Sequence, residues 1–565
     1  MRTYFALIAS ALLLLACGAD ESPEPGSGAA EYYGTLEPFA AEAVYFLLTD
    51  RFVDGDPTNN FPEQGGGPDT RTFDRPIQVE GYAEANMGYL GGDFKGVLDN
   101  AGYIADMGFT AVWTTPIVDN PDEAFTGSRI PGRGPGGDRG KSGFHGYWGV
   151  NFFEVDEHLE SEGLSFADFT RGLNDDHGLK YVLDVVCNHG SPAYTMPDDQ
   201  PLFGELYDAD GKLVADHENL HPEQLDPDNP LHAFYNRKPG LGELSDFNEN
   251  NPEVLDYFVA AYSQWLDQGV AAFRIDTIAH MPHAYWKQFS DRIREKRPGL
   301  FMFSENFDYD AEDIAQNTWP ENGAISVLDF PGRAAMTRVF AEGASYEELA
   351  SYLHLDSGLY QNPYELMTFY DNHDMDRMDA DAQGFIDANN WLFTSRGIPV
   401  VYYGSEIGFQ AGTNEHTGNR NYFGQDNIEA AKSHEIHAAL TRIANIRKNS
   451  IALQRGLQVY TGFGQRSASF FRVYQKDGVT QTALVLLNGD DEPSTMQFGQ
   501  LPAQGSWRDA VTGHVVQVDE SFAGLVEELA PHSVRVYLND SPITDTRFLE
   551  LLDETQASTA RRTTP

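Results

Sequence analysis

The sequence predicts an α/β protein built on a closed parallel (β/α)8 TIM barrel, with a loop-rich insert after the third strand and a C-terminal antiparallel β-sandwich. Three observations carry this. Eight short apolar, β-rich runs recur between helix-like stretches; the rhythm breaks once, between residues 190 and 250, into a segment rich in Pro, Asp and Asn; after residue 451 it changes to alternating strands separated by turns.

The eight runs fall at 44–48, 111–115, 181–186, 270–275, 300–304, 325–330, 366–370 and 398–403. Strands covered by helices on both faces read as unbroken apolar runs, and eight such strands close a parallel barrel. The pattern also admits an open doubly wound sheet; the count favours the barrel. The break at 190–250 is read as an inserted subdomain that splits the barrel into 42–189 and 251–450. Runs such as 467–474 and 482–487, ending near Val536-Tyr537-Leu538, assign 451–540 to the sandwich. Residues 541–565 form a polar tail with room for one short helix.

At 565 residues the chain exceeds one core of ordinary size, and 41% hydrophobic with 22% charged residues is an ordinary globular balance. The charge is not ordinary: 86 acidic against 38 basic residues leave a formal net charge of −48. Such a surface repels nucleic acid and anionic lipid, which excludes a nucleic-acid partner. It suits a neutral substrate, divalent cations and a saline medium, although acidity also serves solubility.

Arg2, an apolar run over 4–16 and the sequence Leu14-Leu15-Ala16-Cys17-Gly18 open the chain. The run is shorter than the ~20 residues of a membrane-spanning helix, so 1–16 reads as a signal peptide. The small residue before Cys17 resembles a bacterial lipobox. That resemblance implies export and a lipid on Cys17 that anchors the protein to the cell envelope; simple cleavage without lipid is the alternative. Gly18, rather than Asp, after Cys17 points to the outer membrane if the host is Gram-negative. Residues 17–41, rich in Glu, Pro, Gly, Ser and Ala, read as a tether. Cys17 and Cys187 are the only cysteines; with the first lipidated no disulfide forms, and Cys187, inside an apolar run, reads as a buried small hydrophobe.

In a (β/α) barrel the chemistry gathers at the C-terminal ends of the strands. Four runs end in polar residues: Asp184-Val185-Val186-Cys187-Asn188-His189, Phe273-Arg274-Ile275-Asp276, Phe303-Ser304-Glu305-Asn306 and Tyr370-Asp371-Asn372-His373-Asp374. A single Asp after a strand is usually a cap or turn residue. Asp276, Glu305 and Asp374, from three strand ends, converge on one rim instead, which suits cleavage of an acetal by one nucleophile and one proton donor.

On these segments, together with Gly108-Phe109-Thr110-Ala111-Val112-Trp113, His145-Gly146-Tyr147-Trp148, Leu244-Ser245-Asp246-Phe247-Asn248 and Gly397-Ile398-Pro399-Val400-Val401-Tyr402-Tyr403-Gly404, the chain resembles the α-amylase family, glycoside hydrolase family 13, over about residues 44–538. The resemblance implies that Asp276 is the nucleophile, Glu305 the general acid and base, and Asp374 the group that binds the distorted sugar and keeps Glu305 protonated. It implies that Arg274 holds Asp276 ionised, that His145, His189 and His373 hydrogen-bond the same sugar, and that Tyr147 offers a stacking face. Trp148 lies beside it, with a packing role equally open.

The resemblance also implies Ca2+. Asn188, Asp246 and the carbonyl of His280 match a site tying the insert to the barrel. Asp54-Gly55-Asp56-Pro57-Thr58-Asn59-Asn60, completed by Gly91 and Asp93, resembles a calcium loop of cyclodextrin glucanotransferases through Asp54, Asp56, Asn59 and Asn60; an Asx-rich turn without metal is the alternative.

Two further motifs are discounted. His217-Glu218-Asn219-Leu220-His221 has the zinc-protease spacing, but Gly211, Pro222, Pro227 and Pro230 argue against the helix that chemistry needs, leaving a glucan-contacting loop. Gly140-Lys141-Ser142 lacks the earlier glycine of a phosphate loop, Pro135 standing there; with Arg129, Arg133 and Arg139, Lys141 makes a local basic spot.

The implied substrate is an α-1,4-glucan, starch or maltooligosaccharide, and the reading is a retaining hydrolase, endo- or oligosaccharide-directed. Transglycosylation of the cyclodextrin glucanotransferase kind is the alternative. The short C-terminal region, and His217 at the position aligned with the large aromatic about which a glucan curls, favour hydrolysis. Ala279, where many relatives have Lys, changes a contact on the leaving-group side. A non-catalytic glucan-binding lipoprotein is a third reading, and a matched acid and nucleophile argue against it.

Overall fold

The computed structural model describes residues 30–76, 86–127 and 139–559. Cys17 and the export segment lie outside the described residues, as do Arg129 and Arg133. All eight expected runs form parallel strands: β1 (Val44–Leu47), β2 (Ala111–Thr114), β3 (Lys180–Val185), β4 (Val270–Ile275), β5 (Phe301–Ser304), β6 (Ser326–Val327), β7 (Met367–Thr368) and β8 (Ile398–Tyr402). Their order is β6-β5-β4-β3-β2-β1-β8-β7. A parallel bridge from Leu328 to Met367 joins the two end strands, and the Asp329 amide donates to the Met367 carbonyl at 2.9 Å, so the sheet closes. β6 and β7 are far shorter than their apolar runs, because the chain beyond each turns into the site or a helix within two residues.

The strands are buried along nearly their whole length, which is why they lack alternation. Phe46 stacks on Trp113 at 3.7 Å inside the barrel, and Tyr402 packs on Phe46 at 5.1 Å. Outer helices cover the strands. Phe166–His177 starts at a capping box made by Ser165 and Asp168, and Pro252–Leu266 starts at Asn251, whose side chain accepts from the Glu253 amide.

The insert after β3 is mostly turns. Glu205–Tyr207 and Leu213–Asp216 extend a small sheet begun by Val118–Asp119 and Asn151–Val155 from the segment after β2, while His189–Pro192 pairs with Leu244–Asp246. Within the insert Glu218 and Asn219 adopt φ of 53° and 51°, so the 217–221 spacing is not helical. His217 is fully buried, with ring centroids 6.0 Å from Tyr194 and 5.0 Å from Tyr235. The expectation that His217 replaces a glucan-facing aromatic is therefore corrected: its ring fills the subdomain core, and burial pushes it down to about 4, keeping it neutral.

After β8 come strands β9 (Leu457–Phe463), β10 (Ser467–Lys476), β11 (Val479–Asn488), β12 (Ser494–Phe498), β13 (Gly505–Asp509), β14 (Val515–Val518), β15 (Leu525–Leu529) and β16 (Ser533–Asn539). They form a six-stranded sheet, β9-β10-β11-β16-β13-β14, and the pair β12-β15, with antiparallel neighbours throughout.

Two segments read as loose are docked. The stretch assigned to a tether through residue 41 is packed from Tyr32 onward: Tyr32 bridges to Gln475, and Phe39, 4% exposed, stacks on Phe301 at 4.7 Å. The polar tail forms helix Thr546–Ser558, which buries Leu552 and takes a hydrogen bond from Tyr32 Oη on Asp553 at 2.7 Å. Composition hid both, because one or two aromatic anchors per segment outweigh a polar average.

Candidate active site

Register sets the core of the site. Arg274 on β4 lies opposite Asp184 on β3, and Asp276 follows Arg274 by two positions, on the same inward face. The Asp276 amide donates to Val185 O at 2.9 Å and the Glu305 amide to Ile275 O at 2.8 Å, so three adjacent strand ends stay laddered up to the carboxylates. Immediately after Asp276, Thr277 holds a left-handed backbone (φ 48°, ψ 39°), a strained conformation for a β-branched residue.

Arg274, wholly buried, organises the acids. Its Nη1 donates to Asp184 Oδ1 at 2.7 Å and to Asp276 Oδ1 at 2.8 Å, and its Nη2 lies 3.0 Å from Glu305 Oε2. Asp184 is fixed by two more donors, Trp113 Nε1 at 3.0 Å and Tyr147 Oη at 2.9 Å. The Nη2 contact to Glu305 lacks hydrogen-bond alignment, and Glu305 Oε1 is buried with no protein partner. Burial first, then the charges of Asp374, Asp276 and Asp184, push the Glu305 carboxyl up to about 8 against the opposing pull of Arg274. A carboxyl in that state carries a proton at neutral pH.

Asp374 sits across the site, at the end of β7, where Arg420 Nη2 donates to its Oδ1 and His373 Nε2 comes within 3.1 Å of its Oδ2. Burial raises the Asp374 carboxyl while Arg420 pulls it down. His145 and His373 are both buried, and burial, helped by neighbouring cations, drives both imidazoles well below their usual value. They are neutral, and their Nε2 atoms have no hydrogen bond to protein. The Tyr147 ring stacks between them, 5.4 Å from His373 and 5.8 Å from His145. His189 is buried at the end of β3, its Nδ1 3.3 Å from Asn188 Nδ2. Trp148, 3% exposed, instead packs with Phe125 and Phe203 and meets His145 edge-on at 4.9 Å. Cys187 is buried, and burial raises its thiol.

The expected calcium residues divide by fit. At the N-terminal loop, Asp54 Oδ1, Asn59 Oδ1 and Asn60 Oδ1 are all buried without a hydrogen-bond partner. Three orphaned oxygens suit a hard cation, since each costs free energy when left unpaired. Gly91 is pressed against this nest: its φ is +91°, and a Cβ there would lie 2.4 Å from Asn60 Oδ1. Asp93 accepts from the amides of Gly96, Gly55 and Asp56, and burial raises it to about 6; Asp56 caps the following turn through the Thr58 amide. At the insert, the Phe247 amide donates to Asn188 O at 2.9 Å, bringing Asp246 beside Asn188. Asp246 is raised by burial and pulled down first by the hydrogen bond from Asn236 and then by nearby His280. Its Oδ2 already accepts from Asn236 at 2.8 Å, so this group shows the weaker cation signature.

A third acidic group, absent from the sequence reading, joins Asp119, Asp122 and Glu157, whose carboxylate oxygens lie within 4.8 Å of one another. Burial and mutual repulsion raise Asp119 to about 9 and Glu157 to about 7. Its members come from two distant segments, so no local density of Asp and Asn marked it.

A family model described as the catalytic domain of alpha amylase matches residues 46–445. A cyclomaltodextrin glucanotransferase of Niallia circulans is 30% identical over 436 residues, 74% of this chain and 55% of that relative, so the chain spans about half the relative's length. An alpha-amylase of the same organism is 29% identical over 466 residues, covering 80% of this chain and 81% of the relative. Among solved structures, a cyclomaltodextrin glucanotransferase described as the first with a three-domain ABC distribution superposes with TM-score 0.72 at 28% identity, covering 89% of this chain and 99% of that one. The alpha-amylase of Geobacillus thermoleovorans in complex with acarbose superposes with TM-score 0.64 at 26% identity, covering 88% and 98%.

Proposed function

The chain belongs to the α-amylase family, and from that premise we propose that it is a retaining hydrolase of α-1,4-glucans, starch or maltooligosaccharides, working through a covalent glycosyl-enzyme. The observation that carries this reading is the single guanidinium of Arg274, which touches Asp276 through Nη1 and Glu305 through Nη2. Two carboxyl groups sharing one guanidinium are close neighbours, in keeping with the ~5–5.5 Å spacing of retaining enzymes.

In this reading Asp276 Oδ attacks the anomeric carbon as the glycosidic bond breaks, and Glu305 gives its proton to the departing oxygen. Water then enters, passes a proton to Glu305 and displaces Asp276. Arg274 fixes the position of the Asp276 nucleophile, while the raised Glu305 holds the proton it must donate. Asp374, His373 beside it and the unbonded Nε2 of His145 face the sugar hydroxyls, with Tyr147 as an apolar floor. His189 and Arg274 complete the glycone contacts.

Transfer is the second reading, supported by the glucanotransferase relatives: a glucan hydroxyl in place of water would take the glycosyl group. The three-domain glucanotransferase that this chain matches over 89% of its length removes chain length as an argument against transfer.

Ca2+ would bind at Asp54, Asp56, Asn59, Asn60, Gly91 and Asp93, and again at Asn188, Asp246 and His280, where it would brace the loops bearing the site. Cys17 would carry a lipid that holds the exported enzyme at the cell envelope; among the described residues no helix is long and apolar enough to cross a membrane. The test compares native protein and Glu305→Gln on soluble starch with products followed over time. Loss of sugar release in the variant supports the reading, equal and negligible release from both refutes it, and cyclic products would assign transfer.

A further inference from the structure

We propose that an ionic barrier made by Lys141, Glu415 and Arg420 closes the glycone end of the cleft, so that the enzyme works from the non-reducing ends of α-glucan chains and releases short products. This rests on the reading that the site cleaves α-glucans.

Strand order fixes the direction. β1 lies across the barrel from β5, with β2 and β8 on either side of it. Glu305, at the end of β5, protonates the leaving oxygen, so the departing part of the chain runs out on that side. The glycone part must run the other way, over β1, between the segments that follow β2 and β8.

Those two segments meet there. Lys141, after β2, places Nζ 3.5 Å from Glu415 Oε1, and Arg420 places Nη1 3.0 Å from the same oxygen. Arg420 continues inward, donating through Nε to His373 O at 3.0 Å and through Nη2 to Asp374 Oδ1. Lys141 and Arg420 are also the charges that, after burial, depress the His145 imidazole. The Lys141 and Arg420 side chains are only 8% and 9% exposed, with Glu415 forming the outer edge at 29%.

An open groove would leave an ammonium and a guanidinium in water. Here both are desolvated and pay for it with shared carboxylates, as buried cations require. Beyond the sugar at the reaction centre the chain thus meets packed, paired charge. A long glucan cannot thread through that end, whereas a chain terminus can abut it.

The experiment uses a maltooligosaccharide with a chromogenic aglycone, either free at its non-reducing end or capped there by a cyclic acetal, with product sizes followed from the first turnover. The native enzyme should cleave the capped substrate at least about tenfold more slowly, because the cap would have to displace buried ion pairs. Glu415→Ala and Lys141→Ala should bring the two rates together and lengthen the first products from soluble starch, while Lys141→Arg keeps the native pattern. Equal native rates on capped and free substrate overturn the barrier and leave the hydrolase reading intact. Cleavage of neither overturns that reading, and the barrier with it.

Discussion

Replacing Asp374 by Asn should move the basic limb of the pH profile downward. Glu305 works as an acid only while protonated, so kcat/KM falls as pH rises through its pKa, raised in this protein to about 8. Among the carboxylates that raise it, Asp374 contributes most, ahead of Asp276 and Asp184. Like charges ~8 Å apart at an effective dielectric of ~20 repel by about 2 kcal/mol. One pKa unit is about 1.4 kcal/mol, so the full charge is equivalent to roughly 1.5 units. Arg420 contacts Asp374 directly and cancels part of its field. The net expectation is a limb displaced by about 1 unit, toward pH 7. The assay is initial-rate hydrolysis of a maltooligosaccharide between pH 5 and 9. The limb is a midpoint, so the loss of sugar binding expected of this variant lowers the amplitude without moving it. A limb that stays near 8, or rises, refutes the assignment of Asp374 as the charge that keeps Glu305 protonated.

The same residue governs stability. Because the folded pKa of Glu305 lies above the ordinary 4.5, the folded state holds this proton more tightly than the unfolded chain, and native stability drains away as pH climbs from about 4.5 to about 8. Glu305→Gln removes that drain, so its Tm relative to native should be higher at pH 8 than at pH 5, and a pH-independent difference would contradict the raised pKa. Excess chelator should lower the native Tm by several degrees, since a cation bound only to the folded state at ~100 times its Kd adds about 2.7 kcal/mol. In Gly91→Ala, whose Cβ would stand 2.4 Å from Asn60 Oδ1, Tm should fall and most of the chelator response should vanish; an undiminished response would assign the cation elsewhere.

The barrel was legible because burial on both faces writes strands as unbroken apolar runs, and all eight runs became strands in one closed sheet. The acid constellation was legible because strand ends are local in sequence: Arg274 and Asp276 share a face by simple alternation. Arg420, which seats Asp374, was missed, because it lies in a loop long after β7 and nothing nearby marks it. His217 was misplaced for a related reason, as a histidine's burial depends on which tyrosines fold over it. Asp119, Asp122 and Glu157 become a cluster only when the segment after β2 folds back on itself.

The sequence alone determined the order of elements and the types of side chain at each strand end, since periodicity and composition act over a few residues. Only the tertiary structure decided which charges share a guanidinium and which oxygens are left without partners. Those depend on long-range approach and on exclusion of water, and no window of sequence contains either.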